Sequence, residues 1–235
     1  MNRALCRLLP MAAPVRLPAT PDTVILLHGL GRGPLSLKRV ERALQAEGYD
    51  VRNLGYPSRA AEIATLADAT LGPVFAAATG DAPRIHVVTH SLGGILVRQW
   101  LHDHGVPPSL GRVVMLAPPN AGSEIVDRLH DWKLYQWVNG PAGLLLGTDA
   151  ASVPRKLGQL PAGVEVGVIA GDRTLNPLLS ALLPGVGDGK VTVAATHVVG
   201  EADHLTLPAT HTWIMWRSDT VAQVAAFLST GHFMR

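Results

Sequence analysis

The sequence is poor in cysteine, in net charge and in long apolar runs, and each shortage excludes a class of protein. Cys6 is the single cysteine among 235 residues, so neither an internal disulfide nor a cysteine-rich zinc site can form. The formal net charge is only +2, and Lys and Arg form no sustained run that would bind nucleic acid. No apolar run reaches the ~18 residues of a membrane-spanning helix. We therefore expect a chain that is stabilised by packing and acts on a small molecule, with any membrane contact peripheral.

The N-terminal residues lack a pattern that predicts folded structure. Pro10, Pro14 and Pro18 interrupt an apolar patch before the core of a signal peptide develops. We expect a poorly ordered or loosely docked arm over residues 1–21, followed by one domain over residues 22–235. The compartment stays open, with the cytoplasm favoured because no convincing signal peptide is present.

The rest of the chain alternates short β-branched runs with longer amphipathic stretches. Residues 23–27 form an uninterrupted apolar run, which predicts a strand that is buried on both faces. The same pattern predicts strands over 49–54, 84–89, 112–117 and 164–170, with at least one more within 191–207. Helices are predicted over 35–48, 60–78, 92–104 and 213–228, with Pro73 as an interruption of the second. This alternation predicts a doubly wound, mostly parallel α/β sheet.

A long connection over residues 120–162 is more apolar than a surface loop. It contains Trp132, Tyr135, Trp137 and three consecutive leucines at 144–146. Connections of this length without a strand are uncommon in compact domains unless they serve a function. We expect this segment to form a short inserted cap.

One serine lies where a predicted strand runs directly into a predicted helix. Residues 89–94 read Thr-His-Ser-Leu-Gly-Gly, and a sharp turn at Ser91 would present its hydroxyl above the sheet. Gly93 and Gly94 are the small residues that such a turn needs on its helix side, whereas Thr89 departs from the usual glycine on its strand side. The alternative is that Ser91 only caps the following helix.

A second glycine-containing turn, His28-Gly29-Leu30-Gly31, follows the first predicted strand. Its backbone N–H groups are free to point at a developing negative charge, so we expect the amides of Leu30 and Leu92 to form an oxyanion hole. The alternative is a βα turn that needs glycine only for its backbone angles.

These two motifs and their spacing resemble the α/β-hydrolase superfamily, especially its small bacterial lipases and esterases, over roughly residues 23–228. The resemblance implies a catalytic triad in the order serine, acid, histidine, with the histidine between the last strand and a final helix. His211 has that position. His204 is the alternative, although its place within or beside a strand is more typical of packing.

The acid of the triad has two candidates. Asp188 is the first choice, because Gly-Asp-Gly-Lys-Val at 187–191 resembles the segment that carries the catalytic aspartate in many lipases. Asp172 is the alternative, because it follows the strand predicted over 164–170. The resemblance implies a mechanism that needs neither a metal nor an organic cofactor.

The predicted function is hydrolysis of short- to medium-chain acyl esters by Ser91, Asp188 and His211 through an acyl-enzyme. A thioesterase, an amidase or an acyltransferase would use the same triad, and two further alternatives are a non-catalytic binding protein and a peripheral membrane protein anchored by the cap. Nothing in the sequence indicates an oligomeric state. The residues expected to contact substrate are His28, Gly29, His90, Trp132, Tyr135 and Trp137.

Overall fold

The computed structural model describes residues 21–78, 83–174 and 183–235. The predicted N-terminal arm lies outside the described residues, apart from Pro21. Within the described ranges, no helix is both long enough and apolar enough to cross a membrane.

Six strands form one sheet in which every neighbouring pair is parallel. The order across the sheet is β2-β1-β3-β4-β5-β6. The strands are β1 (Thr23–Leu27), β2 (Asp50–Leu54), β3 (Ile85–His90), β4 (Leu110–Leu116), β5 (Val166–Gly171) and β6 (Asp203–Leu207). Each predicted strand is present. The first matches its predicted range, the next four have ends that differ by at most two residues, and the last lies within the predicted range 191–207.

Eight α-helices are described between and after the strands. They are α1 (Lys38–Ala46), α2 (Ile63–Ala76), α3 (Leu92–His104), α4 (Glu124–Leu129), α5 (Lys133–Leu144), α6 (Val153–Lys156), α7 (Val193–Thr196) and α8 (Ser218–Thr230). Short 3-10 turns at Pro34–Leu37 and Ile214–Trp216 replace the first turns of two predicted helices. The last helix begins at Ser218 rather than at the predicted residue 213, because the backbone of Arg217 is extended. Pro73 lies within the last turn of α2, which continues to Ala76.

Helices cover both faces of the sheet, and this explains why the central strands are apolar throughout. Odd positions of β1, such as Ile25, pack in a core with α2 and α3. Even positions, such as Val24, pack in a second core with α1 and α8. A parallel strand buried on both faces has no solvent side that would require polar alternation.

The strand order reverses between β1 and β3, because the chain leaves β1 for β2 and returns to the other side. Leu27 at the end of β1 is paired with Thr89 near the end of β3. Loops that leave two such strands diverge, and the crevice between them is the usual ligand site of an open α/β sheet. This topology places the His28–Gly31 turn beside Ser91.

Candidate active site

Ser91 joins β3 to α3 in a strained backbone conformation, with φ at 52° and ψ at −119°. A non-glycine residue with positive φ is uncommon and persists only where the surroundings impose it. Although Ser91 occupies the N-cap position of α3, its side chain makes no capping hydrogen bond. The geometry therefore does not support the capping alternative, and it presents the hydroxyl at the carboxyl edge of the sheet.

Glycines are required around this turn because backbone segments approach it closely. A Cβ atom on Gly93 would lie 2.7 Å from the carbonyl oxygen of Leu27, and one on Gly29 would lie 2.7 Å from Nδ1 of His90. A Cβ on Gly94 would lie 3.3 Å from Oγ1 of Thr89. The unusual threonine is thus accommodated by the glycine that faces it.

A continuous chain of hydrogen bonds joins three of the predicted site residues. Ser91 Oγ lies 3.1 Å from Nε2 of His211, and Nδ1 of His211 lies 2.7 Å from Oδ2 of Asp188. A carboxylate can only accept, so Nδ1 carries the proton and Nε2 accepts from the serine hydroxyl. The other carboxylate oxygen accepts the backbone N–H groups of Lys190 and Val191, each at 2.9 Å. Asp188 is therefore fixed as the partner of the imidazole.

The two alternative triad residues lie elsewhere. Asp172 pairs with Arg173 at 3.5 Å rather than with His211. His204 lies in β6, where its ring stacks on His197 at a centroid distance of 3.7 Å and its Nε2 lies 2.9 Å from Oγ1 of Thr196. Desolvation, followed by the proximity of His197, lowers the pKa of His204 to about 4. Neither residue is in hydrogen-bond contact with Ser91.

Among the described residues, one group brings together three side chains that could bind a metal ion. It consists of His197, Glu201 and His204, whose ligand atoms all lie within 4.8 Å of one another. The two rings are only 17° from parallel. Lone pairs of stacked imidazoles run side by side and do not converge on one ion, so this arrangement does not fit a metal centre. The group also lies outside the cavity that contains Ser91.

The predicted oxyanion donors have free N–H groups. Leu92 is the first residue of α3, and neither its N–H nor that of Leu30 has an acceptor among the described residues. The turn that carries Leu30 is held by two bonds, from Arg32 N–H to the Gly29 carbonyl at 3.2 Å and from Gly31 N–H to Oγ of Ser58 at 2.9 Å. Ser58 has no sequence signal and is recognised only in the structure.

His28, predicted to contact substrate, supports this turn and is not among the residues that line the cavity. Its Nδ1 donates to the Gly29 carbonyl at 2.9 Å, and its Nε2 accepts the Tyr56 N–H at 3.3 Å. The Tyr56 ring stacks on the imidazole at 4.2 Å. Desolvation lowers the pKa of His28, so the ring is neutral and keeps this tautomer.

His90 is among the residues that line the cavity, and it also holds the backbone of His211. Its Nε2 donates to the carbonyl oxygen of His211 at 3.0 Å. Complete burial, together with the nearby His211 and Arg32, holds the pKa of His90 well below its usual value. A neutral His90 therefore positions His211 without adding a charge beside it.

A cavity of about 200 Å³ opens at Ser91 and His211. One wall is apolar and comes from residues 120–162, the predicted cap: Ile125, Val126, Leu129, Tyr135 and Leu146. This segment forms α4, α5 and α6 between β4 and β5. The predicted apolar wall is present, although it is built mainly of aliphatic side chains.

Three further predicted substrate contacts, Gly29, Trp132 and Trp137, lie outside this cavity. Trp132 is 65% exposed and Trp137 is 81% exposed, and neither is among the lining residues. Both lie on the outer side of the segment that carries α5, whereas Tyr135 lines the cavity. The composition of the segment indicated an apolar cover but not which face of it points inward.

A buried arginine on α3 clamps both ends of the cap. Arg98 is 3% exposed and donates to the Asn120 carbonyl at 2.7 Å and, at the other end of the cap, to the carbonyls of Pro154 at 3.2 Å and Gly158 at 2.6 Å. Desolvation lowers the pKa of Arg98 to about 10. Sequence reasoning missed this residue, and the only signal was a charged side chain on the apolar helix that follows Ser91.

Comparison with known proteins agrees with this architecture. A model of an alpha/beta hydrolase family matches residues 24–235. The mature lipase BlEst2 of Bacillus licheniformis superposes with a TM-score of 0.70 at 18% identity, over 93% of this chain and 96% of the lipase. A metagenomic carboxyl esterase matches with a TM-score of 0.68 at 21% identity, over 90% of this chain and 71% of the esterase.

A third structure, phospholipase PlaB of Legionella pneumophila, matches with a TM-score of 0.58 at 20% identity, over 76% of this chain and 45% of the phospholipase. A search of curated proteins finds no match. At these identities the structural likenesses show the fold alone. With the family match, they confirm the predicted α/β-hydrolase fold.

Proposed function

Because the chain belongs to the alpha/beta hydrolase family, we propose that it is a serine-dependent carboxylic ester hydrolase with Ser91 as nucleophile. Membership of this family supports a hydrolase in general. The observation that carries the finer proposal is the buried hydrogen-bond chain from Asp188 through His211 to Ser91. Such a chain supplies what a serine hydroxyl lacks on its own, a base that takes its proton.

In the first half of the proposed reaction, Ser91 Oγ attacks the ester carbonyl while Nε2 of His211 accepts its proton. The tetrahedral oxyanion accepts hydrogen bonds from the free N–H groups of Leu30 and Leu92. Asp188 keeps the imidazole in the required tautomer and stabilises the imidazolium. Collapse of the intermediate breaks the ester C–O bond, and His211 returns the proton to the departing alcohol.

In the second half, water attacks the acyl group on Ser91. His211 accepts a proton from this water and then returns it to Ser91 Oγ as the acid is released. The same donors stabilise the second oxyanion. Each step uses side chains and amides of this chain, and none requires a metal ion.

The cavity supports short- to medium-chain acyl groups. Its volume of about 200 Å³ is below the ~300–1,000 Å³ of many ligand pockets. Its cap wall is aliphatic, which suits an acyl chain. A long chain would need displacement of α5, whose residue Tyr135 projects into the cavity.

The direct test is a series of p-nitrophenyl esters from acetate to laurate, assayed with the unaltered protein and with Ser91→Ala. We expect activity that is highest for short to medium chains and falls by at least ~10⁴-fold in the variant. Ser229→Ala, at an exposed position on α8, is the matched control. Undiminished turnover by Ser91→Ala would contradict the proposal.

Other acyl-transfer reactions use the same three residues, because a triad does not encode the leaving group. A screen of matched oxygen esters, thioesters and amides, with and without an alcohol acceptor, separates an esterase from a thioesterase, an amidase or an acyltransferase. A non-catalytic binding protein on this fold predicts that a fluorophosphonate probe leaves Ser91 unlabelled. Labelling of Ser91 rules that class out.

The outer surface of the cap supports a further proposal, contact with a lipid surface. Trp132, Leu134, Trp137 and Val138 are all exposed in and just before α5. Clustered exposed apolar side chains commonly mark an interaction site, and tryptophan suits the membrane interface. The proposed esterase would in that case meet lipid esters at a surface, with α5 facing the lipid.

A further inference from the structure

Two basic side chains line the cavity that contains Ser91. Arg32 follows the oxyanion turn, and Lys190 follows Asp188 by two residues. No acidic side chain is among the residues that line this cavity within the described ranges. Neither side chain donates a hydrogen bond or forms an ion pair with any residue that the structure describes. The cavity therefore presents two positive charges that have no acidic partner among the described residues.

The backbone fixes where both side chains begin. The N–H of Arg32 donates to the Gly29 carbonyl, which closes the oxyanion turn. The Lys190 N–H donates to Oδ1 of Asp188, and its carbonyl accepts the Ser123 hydroxyl at 2.8 Å. Ser123 occupies the N-cap position of α4, but its side chain makes no capping bond there. The two cations thus project from two loops that also carry the proposed catalytic groups.

The two charges also affect each other and the groups around them. Desolvation lowers the pKa of Arg32, and desolvation followed by the nearby Arg32 lowers that of Lys190. Both cations contribute to the low pKa of His90, which adjoins Ser91. The negative charge of Asp188 acts to raise the pKa of Lys190. The carboxylate of Asp188, however, already accepts hydrogen bonds from His211 and from two backbone amides.

Two other arginines of the described chain have acidic partners. Arg112 is paired with Glu165 at 2.7 Å, and Arg217 with Asp219. Arg32 is half-buried and Lys190 is exposed, yet both line the same cavity. Two like charges at one cavity repel each other, and the repulsion is relieved when an anion enters. The contrast indicates that the charge in the cavity is complementary to a ligand.

We propose that Arg32 and Lys190 form an anion subsite, so that the preferred ester carries a carboxylate or phosphate group close to the scissile bond. This inference rests on the proposed ester hydrolase. The guanidinium of Arg32 binds either anion through paired N–H donors, and the ammonium of Lys190 adds a point charge. The apolar part of the substrate lies against the cap wall. The substrate class is thus an amphiphilic ester with an anionic group.

The test compares ester pairs that have similar acyl length and differ in charge. Comparison of mono-p-nitrophenyl glutarate with p-nitrophenyl butyrate places a carboxylate on the acyl side. The butyrate ester of 5-hydroxy-2-nitrobenzoate against p-nitrophenyl butyrate places it on the leaving group. Comparison of butyryl glycerol 3-phosphate with monobutyrin places a phosphate on the alcohol side. Hydrolysis of this pair is measured by the release of butyric acid. The three pairs distinguish the chemical source of the anion.

The measured quantity is the ratio of kcat/KM for the anionic ester to that for its neutral partner. We expect a ratio above one in at least one pair, and a fall in that ratio of about tenfold in Arg32→Gln or Lys190→Met, because each removes a charge-assisted contact. Arg42→Gln and Lys156→Met, at exposed positions outside the cavity, are the matched controls and should retain the ratio. The double variant Arg32→Glu and Lys190→Glu should reverse the preference toward a trimethylammonium ester.

The inference is overturned if the ratios of all three pairs are the same in the unaltered protein and in both cavity variants. Its failure is distinguishable from failure of the proposed function. Ser91-dependent turnover of the neutral esters with unchanged ratios would leave the esterase and remove the anion subsite. Absence of Ser91-dependent turnover for every ester would remove both. A thermal unfolding scan of each variant checks that it is folded.

Discussion

The turn around Ser91 and the cap over residues 120–162 meet at one cavity, but they are built in different ways. The turn is formed by neighbouring strands of a buried sheet, with glycines where backbone segments nearly touch. The cap is formed by short helices that bury side chains such as Val126 and Leu146 in the core beside α2 and α3, and Arg98 ties its two ends to α3. The proposed catalytic groups therefore stand on the sheet, whereas the wall that shapes substrate choice comes from an inserted segment.

The conformation of α5 extends this contrast. Gly140 has a positive φ of 63° and is followed by Pro141, which kinks the helix. A Cβ atom on Gly140 would lie 2.2 Å from the Arg59 carbonyl oxygen, so the kink is where α5 rests on the loop after β2. The cap is therefore anchored at its ends and at this kink, with its tryptophans exposed.

The largest expected effect separates the two acid candidates. Asp188→Asn should lower kcat on p-nitrophenyl butyrate by ~10⁴-fold, because an amide that replaces the carboxylate favours the wrong tautomer of His211. Asp172→Asn is the control and should change kcat by less than about twofold, since this carboxylate does not contact the imidazole. If Asp172→Asn were the inactive variant, the proposed triad would be wrong.

The next effect concerns the cap. Arg98→Met should lower the free energy of unfolding by ~2–4 kcal/mol, because the buried carbonyls of Asn120, Pro154 and Gly158 lose their donors. Urea denaturation measures this change. Arg128→Met, on the exposed side of α4, should alter stability by less than ~0.5 kcal/mol. Equal stability of the two variants would show that Arg98 does not clamp the cap.

A smaller loss of stability is expected at the Ser91 turn. Gly93→Ala should lower the free energy of unfolding by ~1–3 kcal/mol, since its Cβ would press on the Leu27 backbone and force α3 away from β1. Gly72→Ala is the matched control: its Cβ meets no atom within 4 Å, and alanine in a helix should add ~0.5–1 kcal/mol. Activity of Gly93→Ala should fall as well, because the turn that presents Ser91 shifts. A fully active Gly93→Ala protein of normal stability would contradict the close approach.

The smallest effect on stability belongs to the outer face of the cap. The double variant Trp132→Ser and Trp137→Ser should change the free energy of unfolding by less than ~0.5 kcal/mol, because both side chains are exposed. The same double variant should lose binding to phosphatidylcholine vesicles in a flotation assay. Trp213→Ser, exposed outside the cap, should retain it. Vesicle binding that survives in the double variant, or that is absent from the unaltered protein, would remove the lipid-surface proposal.

Strand and helix positions were predictable where local pattern and final environment agree. Residues 23–27 read as a buried strand because a strand covered on both faces needs no polar side. The helix predicted from residue 213 begins only at Ser218, because a 3-10 turn over Ile214–Trp216 and an extended Arg217 precede it. The spacing of apolar residues does not distinguish such a turn from the first turn of a helix.

The sequence by itself determined the α/β alternation and the two motifs that carry Ser91 and Leu30, because their spacing is local and the turn chemistry is specific. The local segment around Asp188 already made it the first choice as the acid, and the fold brings it into contact with His211 while Asp172 pairs with Arg173. The fold also turns the cap tryptophans outward and brings Arg32 and Lys190 into one cavity. These last two outcomes depend on distances between segments far apart in the chain, which are set by strand order and packing and leave no trace in a local pattern of residues.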